Sequence, residues 1–180
     1  MSRVVIIGNA GGGKSTLAQK LAQQRGLPHI EVDRLLWREG WQLAPIDLYR
    51  KQHAETIAGD TWLIDGVGER SSIPARLLRA TEVILIDMPI WVHFWLAAER
   101  QIAWAKGTLE SPPGGMSQMP PTEALFKTIW EVDQAWMPEI RNLCSNAESS
   151  GKPVTRITSI ESLNEFTRFI ADQPAHREPE

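Results

Sequence analysis

Gly8, Gly13, Lys14 and Ser15 stand at the spacing G-x-x-x-x-G-K-[ST], and residues of these types in this order suit one task, the holding of a phosphate chain. Glycines at 11, 12 and 13 let the backbone curl until several N–H groups face a single anion. The helix that follows adds the partial positive charge of its N-terminus. Lys14 would reach the terminal phosphates, the Ser15 hydroxyl would ligate Mg²⁺, and Thr16 would donate to an inner phosphate. The implied cofactors are ATP and Mg²⁺; no Asn/Thr-Lys-x-Asp guanine motif argues for GTP.

A cradle of this kind fixes a donor and leaves the acceptor open. Ligands of open parallel sheets lie beyond the carboxyl ends of the strands, and three aspartates fall at predicted strand ends: Asp33, Asp65 and Asp87. Asp65, followed by Gly66, has the placement of a carboxylate that holds Mg²⁺ directly or through water. Asp33 is placed to meet the acceptor, as a base for a hydroxyl or as a positioning group. Asp87 precedes Met88-Pro89 and is expected to cap the helix starting there. Phosphoryl transfer also needs positive charge about the moving group; Arg70, Arg76, Arg79 and Arg100 flank the strand ends. Trp37 and Trp41 follow Asp33 closely, either to stack on a ring substrate or to pack locally.

These residues need a scaffold of alternating strands and helices, and the chain supplies that pattern. Strands are predicted at 3–8, 29–32, 61–65, 82–87 and 152–157. The first is apolar throughout, as a central strand covered on both faces should be. Helices are predicted from Lys14 to Arg25, from Pro45 to about Ala58, and from Pro89 to Lys106 with Trp91, Trp95, Ala98 and Ile102 turned inward. Another carries Leu125, Ile129, Val132 and Trp136 and is broken or kinked by Pro138. Thr158 and Glu161 form the expected capping box of the last helix. "GTLESPPGGMSQMPP" (107–121) has no periodicity; a loop of that length is a lid or a disordered segment.

The expected organisation is one α/β domain over 1–171, a lid insertion at about 107–121 and a loose tail at 172–180. The 19 basic residues fall short of the 22 acidic ones, which speaks against a nucleic-acid partner. No apolar run approaches a membrane span, and the single cysteine, Cys144, fits a reducing compartment. The expectation is a soluble, cytoplasmic protein.

With "IIGNAGGGKSTLAQKLA", "VDRLLWREGW", "TWLIDG" and "ILIDMP" in view, the chain resembles the adenylate kinase-like P-loop kinases. More narrowly, it is similar to the bacterial DNA topology modulation (FlaR-type) family. The resemblance implies a three-layer P-loop NTPase fold with a five-stranded parallel sheet in order 2-3-1-4-5 and a lid closing over the donor. It implies Lys14, Ser15 and Thr16 on the donor phosphates, with Gly8, Gly11, Gly12 and Gly13 shaping their cradle. Asp65 would sit near Mg²⁺, Asp33 and Arg70 would face the acceptor, and Arg100 would stand where the lid begins.

The expected activity is ATP/Mg²⁺-dependent phosphoryl transfer to a small-molecule or nucleotide acceptor, with Lys14, Asp33, Arg70 and Arg100 as catalytic residues. No arginine occurs from 101 to 140, so the lid brings none, which tilts the expectation toward a hydroxyl or otherwise uncharged acceptor. An ATP-binding regulatory module with little turnover and a nucleic-acid-associated NTPase are the alternatives.

Overall fold

Side-chain alternation along β1 (Ser2–Gly8) decides the architecture. Val4 and Ile6 enter one apolar cluster and Val5 and Ile7 another, all four fully buried, so both faces of this strand must be covered. The computed structural model describes residues 1–110, 112–113 and 116–173. Its main sheet joins β1 to β2 (His29–Glu31), β5 (Thr61–Asp65), β6 (Glu82–Ile86) and β7 (Val154–Ile157) in the order β2-β5-β1-β6-β7, parallel throughout. The numbering departs from the expected 2-3-1-4-5 because two short strands, β3 (Trp37–Arg38) and β4 (Gln42–Leu43), form an antiparallel hairpin outside that sheet. Two-residue strands around a turn leave too little periodicity for the sequence to show.

Leu17, Leu21 and Ala18 of α1 (Lys14–Arg25) cover one face together with Val92 of α5 (Ile90–Ala105) and Ile170 of α8 (Ile160–Asp172). The other face takes Tyr49 of α3 (Ile46–Ala58), Ile73 and Leu77 of α4 (Ile73–Arg79), and Met137, Ile140 and Cys144 of α7 (Met137–Ser149). The remaining helices are α2 (Asp33–Leu36) and α6 (Thr122–Glu131), the latter leading into a π-helical turn at Val132–Trp136 just ahead of Pro138. That turn absorbs the break expected at the proline.

Three local expectations are corrected. Trp91 and Trp95 stack on each other outside the core, 60% and 50% exposed, and Ile102 is also exposed. The inward face of α5 is instead Val92, His93, Ala97 and Gln101. This helix is apolar nearly all round, so spacing alone could not choose the buried stripe. Asp87 caps no helix: Pro89 is the N-cap of α5, and Asp87 instead accepts from Arg141 at 2.8–2.9 Å. The last helix is boxed by Ser159 and Ser162, one residue later than the Thr158/Glu161 pair.

Residues 111, 114 and 115 of the expected lid lie outside the described residues, as does the expected tail from 174 onward. Among the described residues no helix is long and apolar enough to cross a membrane.

Candidate active site at the carboxyl edge of the sheet

The phosphate loop joins β1 to α1, and its shape is enforced from outside. His93 of α5 pairs through Nδ1 with the carbonyl of Ala10 at 2.8 Å. Asn9, fully buried, donates from Nδ2 to the Ile129 carbonyl at 2.7 Å and accepts from the Ala10 N–H. Gly11 has a φ of +74°, and a Cβ there would lie 2.6 Å from the His93 carbonyl oxygen. Only glycine fits, for conformation and for space.

Gly13 caps α1 without a side-chain acceptor, and the first turn carries no acidic residue. The helix therefore presents unpartnered N–H groups and its positive end to the loop. Lys14 is 8% exposed and donates from Nζ to the Asn9 carbonyl at 2.6 Å. Burial lowers its pKa, while the nearby Asp33 and Asp65 carboxylates oppose that and Arg100 adds to it. These four charged groups share one field.

The metal-side pair assembles as the strand ends dictate. The Ser15 hydroxyl donates to Asp65 Oδ2 at 2.7 Å, and His29 Nε2 meets Asp65 Oδ1 at the same distance. His29 opposes Leu63 in the β2–β5 register, two residues before the position facing Asp65, so both side chains point to the same side of the sheet. The hydrogen bond to Asp65 raises the His29 pKa; burial works against it and the Asp65 charge supports it. Sequence reading missed His29, because the signal exists only in the register.

Asp33 opens α2 at the same edge. Its Oδ1 accepts the Gly68 N–H at 2.9 Å, and Gly66 lies against its Oδ2. Burial raises its pKa, while Lys14, the Gly68 hydrogen bond and Arg76 pull it down and Asp65 pushes it up. Gly68, at φ +65°, sits where a Cβ would lie 2.5 Å from the Tyr49 hydroxyl.

The arginines divide. Arg76 is fully buried and donates from Nη2 to the Gly66 and Val67 carbonyls at 3.2 and 2.9 Å, bracing the turn that serves Asp33. The sequence pointed to Arg76 as one of the charges flanking the strand ends; its role as the buried brace of this turn shows only in the fold. Arg70 is held by Glu139 at 2.8–2.9 Å in an exposed pair. Arg79 donates to the Ile57, Ala58 and Gly59 carbonyls at the end of α3. Arg100 is partly buried; burial lowers its pKa and the Asp33 charge opposes this.

The β3–β4 hairpin follows directly on α2, the short helix that Asp33 opens. Trp37 ends α2, its backbone N–H bonded to the Asp33 carbonyl. Trp37 and Trp41 meet edge to face, centroids 5.9 Å apart at 65°. Trp41 is the one non-glycine among the described residues with a positive φ, 58°. A left-handed tryptophan costs about 1–2 kcal/mol relative to ordinary backbone. Its indole N–H donates to the Gln118 carbonyl at 2.7 Å, and Ser117 donates to Glu39 beside it. Gln101, next to Arg100, donates to the Pro120 carbonyl at 3.1 Å. Residues 117–120 of the expected lid thus bridge the hairpin and α5.

Both oxygens at the Ser15–Asp65 pair are hard ligands, which suits Mg²⁺. Among the described residues no group of three or more His, Cys, Asp or Glu side chains could cage a metal. No protein-family model matches the chain, and no curated protein does. Solved structures are similar. A gluconokinase from Sinorhizobium meliloti 1021 is 16% identical, aligned over 94% of this chain and 89% of its own, with a TM-score of 0.54. A sugar kinase from Janibacter sp. HTCC2649 is 22% identical over 71% of this chain and 91% of its own, with a TM-score of 0.41. The first likeness shows a shared fold: a five-stranded parallel sheet flanked by helices, as in that kinase.

Proposed function

We propose that the chain is an ATP- and Mg²⁺-dependent kinase that phosphorylates a hydroxyl of a small acceptor. One observation carries the reading. Lys14, Ser15, Asp65, Asp33 and Arg100 gather at the carboxyl edge of one parallel sheet, beside an uncapped helix N-terminus. The shared fold with a gluconokinase agrees with it.

The loop N–H groups and Lys14 hold the β- and γ-phosphates, Lys14 leaving the Asn9 carbonyl to do so. Ser15 and Asp65 are the residues that would hold Mg²⁺, with His29 fixing the Asp65 rotamer from its other oxygen. The ion, when bound, would neutralise charge on the phosphate oxygens. Asp33 takes the proton of the acceptor hydroxyl as that oxygen bonds to the γ-phosphorus. The bond from the γ-phosphorus to the β,γ-bridging oxygen breaks, and ADP leaves. Arg100 offsets negative charge at the transferring group. Arg70 can assist only after its exposed pair with Glu139 opens. Residues 117–120, tied to Trp41 and Gln101, are the part of the expected lid placed to exclude water from the site, which would disfavour hydrolysis.

The balance of charges at the edge supports a hydroxyl acceptor. A phosphorylated acceptor would add negative charge beside Asp33 and Asp65 and would need arginines free to meet it. Arg34 is paired with Glu31 and Arg70 with Glu139, and Arg76 spends Nη2 on backbone carbonyls, so a phosphate would have to be met by Arg100, which the proposed reaction already uses, or by the exposed Arg38. Asp33→Asn tests the base. Turnover should fall about 10²–10⁴-fold while ATP affinity is kept. Because burial raises the Asp33 pKa, wild-type kcat should fall with acid on a limb displaced upward from that of a free aspartate. Full activity in Asp33→Asn would remove the base from the account.

A further inference from the structure

The hairpin beside Asp33 does something that phosphate binding does not require. Trp37 follows Asp33 by four residues, and the bond from its N–H to the Asp33 carbonyl keeps that spacing helical. Residues four apart on a helical turn lie one above the other, so the indole and the carboxylate share a face of α2. The three-residue loop Glu39-Gly40-Trp41 then turns the chain back, with Gly40 at φ 71° and Trp41 at φ 58°. Hairpin loops of this length place glycine at a left-handed position. A tryptophan held there breaks a local rule, as functional sites do. Its position brings its ring edge to face with Trp37 and its N–H to the lid carbonyl of Gln118.

We infer that Trp37 and Trp41 form an aromatic wall of the acceptor subsite, which takes the C–H face of a small, uncharged or weakly charged polyhydroxylated compound while Asp33 takes its hydroxyls. The inference rests on the kinase reading and names the acceptor class for it. Such a compound presents what the site offers: a C–H face for an indole and hydroxyls for a carboxylate and for backbone groups. A nucleoside monophosphate would also stack, but its phosphate would add negative charge beside Asp33 and Asp65, whose carboxylates already oppose each other there. The edge-to-face geometry leaves one indole face uncovered by its partner ring, whereas a face-to-face pair would hide it. Trp41 links this wall to Gln118, and the Gln101–Pro120 bond carries the same segment on to the helix that bears Arg100. An acceptor on the wall therefore lies next to residues 118–120, which tie the wall to the helix of Arg100.

Saturation-transfer difference NMR on the whole chain, with Mg²⁺ and a non-hydrolysable ATP analogue, tests this. The probes are D-gluconate, D-glucose and adenosine 5′-monophosphate. The expected result is transfer to the C–H protons of a polyol probe, lost in Trp37→Ala and kept in Trp37→Phe, with that probe's Kd raised about two- to tenfold in the alanine variant. Equal affinity of both variants for the ATP analogue shows that the fold is intact. Transfer unchanged by Trp37→Ala, transfer to the adenine protons alone, or no transfer to any probe would each overturn the wall. ADP formation with the same probes separates the two ideas. Trp37-dependent binding without turnover counts against the kinase and leaves the wall standing; turnover with an unchanged acceptor KM in Trp37→Ala does the reverse.

Discussion

Asp33 and His53 show how burial sets the behaviour of single residues in this molecule. For Asp33, the raised pKa makes the carboxylate a better proton acceptor near neutral pH, and the Gly68 N–H keeps it aimed. His53 is only 4% exposed, stacks on Tyr49 with centroids 5.7 Å apart, and has no partner for Nε2. Burial and then the Arg76 charge lower its pKa to about 4, with Glu69 pulling the other way. The folded protein therefore resists protonating a group that the unfolded chain protonates near its ordinary 6.5. Between those values the unfolded state binds more protons, so stability falls as pH drops from about 6.5 toward 4. His53→Phe keeps the stack and removes the proton. Its melting temperature should decline less than that of the wild type across this window; parallel declines in a pH series would show that His53 stays neutral for no energetic reason.

At the scale of elements, the phosphate loop is a moulded part. α5 presses on it through His93, and α6 pins it through the Ile129 carbonyl on Asn9. Gly11→Ala would set a Cβ 2.6 Å from a backbone oxygen of α5 at a left-handed φ, and a packed helix cannot step back cheaply. We expect ATP affinity to fall at least about tenfold, the equivalent of 1.4 kcal/mol, with secondary structure by circular dichroism retained. Unchanged affinity would mean that the loop is not held by its neighbours. The loop was legible in the sequence because its glycines, lysine and serine act through consecutive backbone positions. Asp33 and Asp65 were legible because strand ends in a parallel sheet face one edge. His29 was not, since its meeting with Asp65 depends on strand register, and neither was the hairpin, whose two-residue strands carry no periodicity. The outward turn of Trp91 and Trp95 was hidden by a helix that is apolar nearly all round.

The whole molecule reads as a scaffold that brings distant segments to one edge. Residues 9–15, 29–33, 65–68 and 93–101 meet there. The sheet does the positioning: β1 supplies the cradle, β2 delivers Asp33, β5 delivers Asp65, and the helix after β6 supplies His93 and Arg100. Whether this edge moves a phosphoryl group or only senses ATP is the central question. The most direct measurement is ADP release from Mg-ATP across a panel of polyols, sugar acids, nucleosides and nucleoside monophosphates, each run against Lys14→Ala. The account predicts strong stimulation by a hydroxylated, unphosphorylated acceptor, with a phosphorylated product in equal amount, abolished in Lys14→Ala. ATP binding with a flat panel would contradict it and leave a nucleotide-binding regulatory module in its place.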